Sequence, residues 1–155
     1  MSHRLIVLPD DSADAILAPI NAARQTMNIR MFLFTDPSLI NAVITAKRRG
    51  VKVRVMLNPA RRDGTSDNDI ARKMLKEAGI AVRDSSTEFA VTHQKSMVID
   101  DKVGFIESLN WETRDLTVTR DYAVEITTKA EVARWFDAST LTGRKRHSSR
   151  VPAPA

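Results

Sequence analysis

Val91-Thr-His-Gln-Lys-Ser-Met-Val-Ile-Asp-Asp-Lys-Val-Gly-Phe-Ile106 is the stretch whose reading decides the fold. Two apolar runs, about Val91 to Ile99 and Lys102 to Ile106, flank Asp100-Asp101, and that pattern predicts a β-hairpin. Upstream the pattern alternates. His3 to Leu8 reads as a short strand stopped by Pro9, and Ser12 to Gln25 as a helix with Ile16, Leu17, Ile20 and Ala23 on one stripe, kinked at Pro19. Met27 to Phe34 is a strand. Asp36 and Pro37 open a helix that ends at Lys47-Arg48-Arg49-Gly50, where the basic residues suit the helix dipole and read as a solvated helix end. Val51 to Leu57 is a strand, Asn58 to Asn68 a polar loop, Asp69 to Ala78 a helix closed by Gly79, and Ile80 to Arg83 a strand.

Downstream of the hairpin, Glu107 to Thr117 is irregular and Arg120 to Thr127 is a strand. Lys129 to Ala138 is a helix with Val132, Trp135 and Phe136 on its core face. The order is βαβαβαβ, then hairpin, strand and helix. Right-handed crossovers imply neighbouring parallel strands early on, and the hairpin implies antiparallel ones later. The expectation is an α/β fold with a mixed, mostly parallel β-sheet flanked by helices on both faces. Residues 1–140 form one domain and 141–155 a basic, disordered tail.

Composition bounds the function. With 155 residues a core can be buried without staples, and the absence of cysteine removes disulfides and thiolate metal sites. No apolar run approaches a membrane span, which predicts a cytoplasmic protein or one peripheral to a membrane. The net charge is +5, but Arg144, Lys145, Arg146 and Arg150 lie in the tail with no acid beside them, leaving +1 on the rest of the chain. A broad polyanion groove is therefore not expected, and local sites must carry any anion binding.

Strand geometry makes the hairpin chemically meaningful. Residues two apart share a face, so His93 and Lys95 project together. An imidazole beside an ammonium suits a phosphate: the lysine neutralises phosphoryl oxygens while the histidine attacks phosphorus. Ser108 and Asn110, again two apart, can fold back beside them and donate to phosphate oxygens. Asp121 starts the next strand, where a carboxylate can orient an imidazole.

His93, Lys95 and Asp100 resemble the HxKxxxxD motif of the phospholipase D superfamily, with Ser108 and Asn110 at the family's downstream Ser-x-Asn spacing. Met31 to Phe34 and Gly50 to Leu57 resemble the upstream part of bacterial cardiolipin-synthase-like members, so the likeness spans roughly residues 4 to 138. It implies catalytic roles for His93, Lys95, Asp100 and Asp121, phosphate binding by Lys95, Ser108 and Asn110, and no metal or other cofactor. It further implies a covalent phosphohistidine, with a second motif supplying the histidine that protonates the leaving oxygen. The sequence holds one copy, and His3 and His147 have no motif around them. The expectation is a homodimer sharing one site, or one half of a two-motif enzyme. Glu107 stands where the family carries glycine; pointing outward it leaves the pocket open, pointing inward it adds bulk and negative charge.

The implied substrate is a phospholipid, by hydrolysis or headgroup transfer, with peripheral membrane contact. The alternative within the superfamily is a metal-independent nonspecific endonuclease. An inactive phosphate-binding module is the alternative of another class. A receiver-like signalling domain, suggested by Asp10-Asp11, needs an aspartate where this chain has Asn58. Arg61 and Arg62 could hold a phosphate from their loop or simply face solvent, and Trp111 could wall the pocket or sit in the core.

Overall fold

The computed structural model describes residues 2–59, 66–86, 89 and 91–138, with side chains to residue 133. Twelve elements follow one another in these residues: β1 (His3–Leu8), α1 (Asp14–Ala22), β2 (Thr26–Met31), α2 (Pro37–Arg48), β3 (Lys52–Leu57), α3 (Asp69–Glu77), β4 (Ala81–Asp84), β5 (Lys95–Ile99), β6 (Val103–Glu107), α4 (Thr113–Thr117), β7 (Asp121–Ile126) and α5 (Lys129–Ala138). The sequence places eleven of them within a few residues. Only the five-residue α4, too short for a periodic signal, falls in the stretch read as irregular.

The seven strands form one mixed sheet in the order β1-β7-β6-β5-β2-β3-β4. The expectation of a mostly parallel sheet needs correction. Among the described strands only β2–β3 and β3–β4 pair in parallel, and the other four pairings are antiparallel. β1 and β2 do run the same way, but β7, β6 and β5 lie between them. Burial explains the order. All five residues of β5 are buried, so it takes a central place beside β2. The first three residues of β1 are exposed, which suits an edge.

The hairpin forms as expected. Asp100 and Asp101 have φ of +54° and +52°, and the Lys102 amide donates to the Ile99 carbonyl at 3.0 Å. Two positive φ values make a type I′ turn, whose twist matches the flanking strands and which aspartate tolerates. At α2 the Asp36 carboxylate accepts the Leu39 amide, Pro37 opens the helix, and Gly50 closes it at φ +96°. The basic end of α2 does more than face solvent: the Arg49 guanidinium donates to the Ile20 and Ala23 carbonyls, tying α2 to the end of α1.

Helices cover both faces. Ile29, Met31, Val55, Leu57, Met97 and Phe105 point to one face and join one core with Ile16 and Ile20 of α1, Leu39 and Val43 of α2 and Leu75 of α3. Each such side chain contributes about 1.5–3 kcal/mol when fully buried. On the other face Val132 of α5 lies over Gly104 and Val98. The predicted core roles of Trp135 and Phe136, the loop pair Arg61-Arg62 and the tail 141–155 fall outside the described side chains and residues. The parallel strands β2, β3 and β4 all end at one edge of the sheet, where β5 and β7 begin, and ligands of open α/β sheets gather outside such strand ends.

Candidate active site

His93 stands two residues before β5, and the chain still brings it to Lys95: the Lys95 Nζ lies 3.0 Å from Nε2 and 3.3 Å from Nδ1 of the imidazole. His93 is exposed while Lys95 is buried. The edge of the His93 ring meets Phe32 at a centroid distance of 4.6 Å, and the Lys95 ammonium sits 5.4 Å from the Phe32 centroid. Phe32 leaves the end of β2 in a loop that Asn68 holds. The Asn68 side chain accepts from the Phe34 amide and donates to the carbonyls of Phe32 and Asn58, each at 2.9 Å. Asn58 in turn accepts the Thr92 amide at 3.4 Å, beside His93.

The returning strand brings the second group. One ladder step beyond the Ser96–Ile106 pair places Lys95 across from Glu107, and Ser108 follows. The Ser108 hydroxyl donates to Asp121 Oδ1 at 2.6 Å and accepts the Tyr122 amide at 2.9 Å. The Thr119 hydroxyl donates to Asp121 Oδ2 at 2.6 Å. Asp121 therefore holds Ser108 and Thr119 within this chain, where the sequence reading had it orient the imidazole. The Asn110 backbone N–H donates to Asp115 Oδ2 at 2.9 Å, and the Asn110 side-chain Oδ1 is buried without a partner among the described residues.

Asp115 carries no sequence signal, because its role arises only once α4 folds against the Ser108–Asn110 loop. Glu107 proves to point inward, buried, and accepts the Trp111 indole N–H at 2.8 Å. Trp111, left open between pocket and core, is core: it is fully buried and meets Phe34 edge-on at 4.8 Å.

Electrostatics follow from this packing. Partial burial and then the neighbouring Lys95 hold His93 below the usual imidazole range. Burial also lowers Lys95, opposed by the carboxylates of Asp115 and Asp121. The site thus favours a neutral imidazole beside a cation held by two carboxylates. Burial pushes the Glu107 carboxyl up to about 7, against the Trp111 bond that favours its ionised form. Among the described residues no three His, Asp or Glu side chains assemble as a metal-ligand set.

Asp100, expected both in the catalytic motif and as support at the hairpin turn, is placed for the second of these roles. It lies at the far end of β5 from His93, and its carboxylate accepts the backbone amides of Arg24 (3.0 Å), Gln25 (2.6 Å) and Thr26 (2.9 Å). These bonds outweigh partial burial and hold it below the usual carboxylate range. It braces the start of β2. His3 is also remote, at the start of β1 and bonded to Glu131 at 2.9 Å.

Known proteins resemble this chain in sequence and in fold. The family described as "Cardiolipin synthase, PLD-like domain" matches residues 16–140. Mitochondrial cardiolipin hydrolase of Mus musculus is 32% identical over 112 residues, covering 72% of this chain and 49% of that protein. The Homo sapiens protein of the same name is 31% identical over 127 residues, covering 82% and 48%. The chain spans about half the length of these curated relatives. The phospholipase D family member Nuc from Salmonella typhimurium superposes with a TM-score of 0.79 at 24% identity, covering 88% of this chain and 90% of that one, a likeness of fold. A family match over most of the chain, joined to a His93–Lys95 pair on this sheet, makes the chain a member of the phospholipase D-like (PLD-like) domain family.

Proposed function

We propose that the protein is a phosphodiesterase that works through a phosphohistidine on His93, with a phospholipid as substrate. The observation that carries this reading is the neutral-leaning His93 imidazole 3.0 Å from the Lys95 ammonium, at the edge where Ser108 and Asn110 return. A substrate phosphate takes over the Lys95 N–H, which frees an imidazole lone pair. That lone pair attacks phosphorus, the N–P bond forms, and the P–O bond to the leaving group breaks. The leaving oxygen takes a proton from a second imidazole, which is in its protonated form when the first, neutral one attacks. Water or an alcohol then attacks phosphorus, gives its proton to that imidazole and breaks the N–P bond. Lys95, Ser108 and Asn110 neutralise or bond the phosphoryl oxygens as charge builds.

The second imidazole must approach from the opposite side of phosphorus, and His3 is at the other end of the sheet. Two copies of the chain, each offering His93 across a two-fold axis, provide it. Relatives named for cardiolipin hydrolysis favour the phospholipid over a nucleic acid, as does the +1 charge outside the tail. Such a substrate needs contact with a membrane surface. No helix among the described residues is long and apolar enough to cross a membrane, so a peripheral contact is the form proposed.

One assay panel tests the reading, run with chelator present. It offers cardiolipin vesicles, single- and double-stranded DNA, and a chromogenic phosphodiester to the wild type and to His93→Asn. Lipid turnover that survives chelator and vanishes in the variant supports it. Turnover of DNA alone replaces the substrate by a nucleic acid, and turnover of nothing leaves a phosphate-binding module. Full activity of a monomer in sedimentation at micromolar concentration removes the shared site.

A further inference from the structure

Glu107 is a buried carboxyl that the proposed reaction does not use. Its Oε2 accepts the Trp111 indole N–H at 2.8 Å, and its Oε1 is buried without a hydrogen-bond partner among the described residues. Trp111 joins two parts of the site. Its backbone donates to the Leu33 carbonyl at 3.0 Å and accepts the amides of Thr35 and Asp36, each at 2.8 Å. Its ring packs on Phe34, two residues beyond the Phe32 that edges His93. Between Glu107 and Trp111 lie only Ser108, Leu109 and Asn110. The Glu107–Trp111 bond therefore closes a short loop on both sides of the two residues assigned to the phosphate. The same loop is anchored to the Phe32–Asp36 segment beside the nucleophile.

We propose that Glu107 is a positioning residue, which acts through Trp111 to set where Ser108 and Asn110 stand relative to His93 and Lys95. The proposal rests on the reading that these residues receive a phosphodiester. A neutral Glu107 bonds Trp111 and adds no charge beneath the loop. An ionised one places a buried negative charge there. Because burial holds its titration near 7, the loop meets a phosphate on less favourable terms as pH rises through neutrality. Charged groups around it include Lys95 on β5, Asp121 on β7, Asp115 on α4, Asp36 before α2, and His93, with the Asp10–Arg120 and Arg72–Asp84 pairs at the same end of the sheet. They are common to the wild type and to a Glu107 variant, so a comparison of the two isolates Glu107.

The test uses diethyl phosphate, whose single charge is constant over the range, in calorimetric titrations from pH 6 to 8.5 on the wild type and Glu107→Gln. Glutamine keeps an acceptor for the indole and cannot ionise. The ratio of wild-type to variant affinity is expected to fall about fivefold as pH rises through 7. In parallel, Trp111→Phe keeps the ring and removes the donor. It is expected to lower kcat/KM on the chromogenic diester about tenfold, with folding checked by circular dichroism. An affinity ratio independent of pH, a Trp111→Phe variant with wild-type kcat/KM, or a wild type that binds no diethyl phosphate at any pH overturns the proposal. A wild type that binds diethyl phosphate with the expected ratio but turns over no ester defeats the catalytic reading alone and leaves the positioning role of Glu107 standing.

Discussion

The two ends of β5 hold parts of one motif and do opposite work. At the far end Asp100 is saturated: three backbone amides converge on its carboxylate, and its own amide donates to the Thr26 carbonyl at 2.8 Å. At the near end polar groups are left wanting. Thr92 Oγ1, Asn110 Oδ1 and Glu107 Oε1 are buried without partners among the described residues, and His93 and Lys95 are both shifted by burial and by their neighbours. A saturated cluster fixes strands, whereas an unsaturated one keeps bonding capacity for a ligand. Spacing in the sequence cannot separate these roles, because HxKxxxxD spans the whole strand.

Substitutions at the two ends sharpen this contrast. The largest effect is expected from His93→Asn. Phosphodiester turnover should fall by more than about a thousandfold, while thermal unfolding stays near that of the wild type, since the side chain is exposed. A folded variant with residual turnover above that level would place the nucleophile elsewhere. Lys95→Met should lower kcat/KM roughly a hundredfold. It should leave stability unchanged or raised in a denaturant melt, because it removes a buried cation whose burial is costly.

Ser108→Ala should cost about three- to tenfold in kcat/KM. Part of that reflects freeing Asp121 and the Tyr122 amide, so Ser108→Thr, which keeps the hydroxyl, should recover most of it. At the other end Asp100→Ala should reverse the pattern. It loses three amide bonds and puts alanine at φ +54°, which should destabilise the fold by roughly 1–3 kcal/mol in a denaturant titration. The kcat/KM of the folded fraction should be preserved, and a selective loss of turnover would break the comparison.

The smallest expected effects are in pH dependence, and the two ends have opposite signs. Asp100 is depressed in the folded state, so its stabilisation is present above its ordinary pKa and is lost as pH falls through the folded value. Glu107 is raised, so its contribution is fully present below its ordinary pKa of 4.5 and is lost as pH rises through about 7. In melts across pH 3 to 8, Asp100→Asn should flatten the acidic limb and Glu107→Gln the neutral one. The acid limb of kcat/KM, set by a neutral His93, should fall below the ordinary imidazole value of 6.5.

Much of this was legible beforehand. The hairpin around Asp100-Asp101, the Asp36-Pro37 helix start and the convergence of His93 with Lys95 all follow from local periodicity and turn chemistry. Ser108 and Asn110 were legible as a pair, because a tight hairpin leaves the returning strand only one place to go. The position of β1 was not, since crossover rules give the direction of a strand and not how many strands will insert beside it.

The sequence by itself determined every described element but α4, the mixed character of the sheet, the family and the meeting of His93 with Lys95, because these rest on contacts close along the chain. Tertiary structure alone decided that β5 displaces β1 from β2, since that is a competition between strands for burial. It also chose the amides of Arg24, Gln25 and Thr26 as the donors that Asp100 braces, gave Asp121 to Ser108 and Thr119, recruited Asp115, and turned Glu107 inward to Trp111. Each of these depends on which polar groups remain unpaired once distant segments have packed. A carboxylate's role is set by the donors that reach it, and those are known only when the chain has folded.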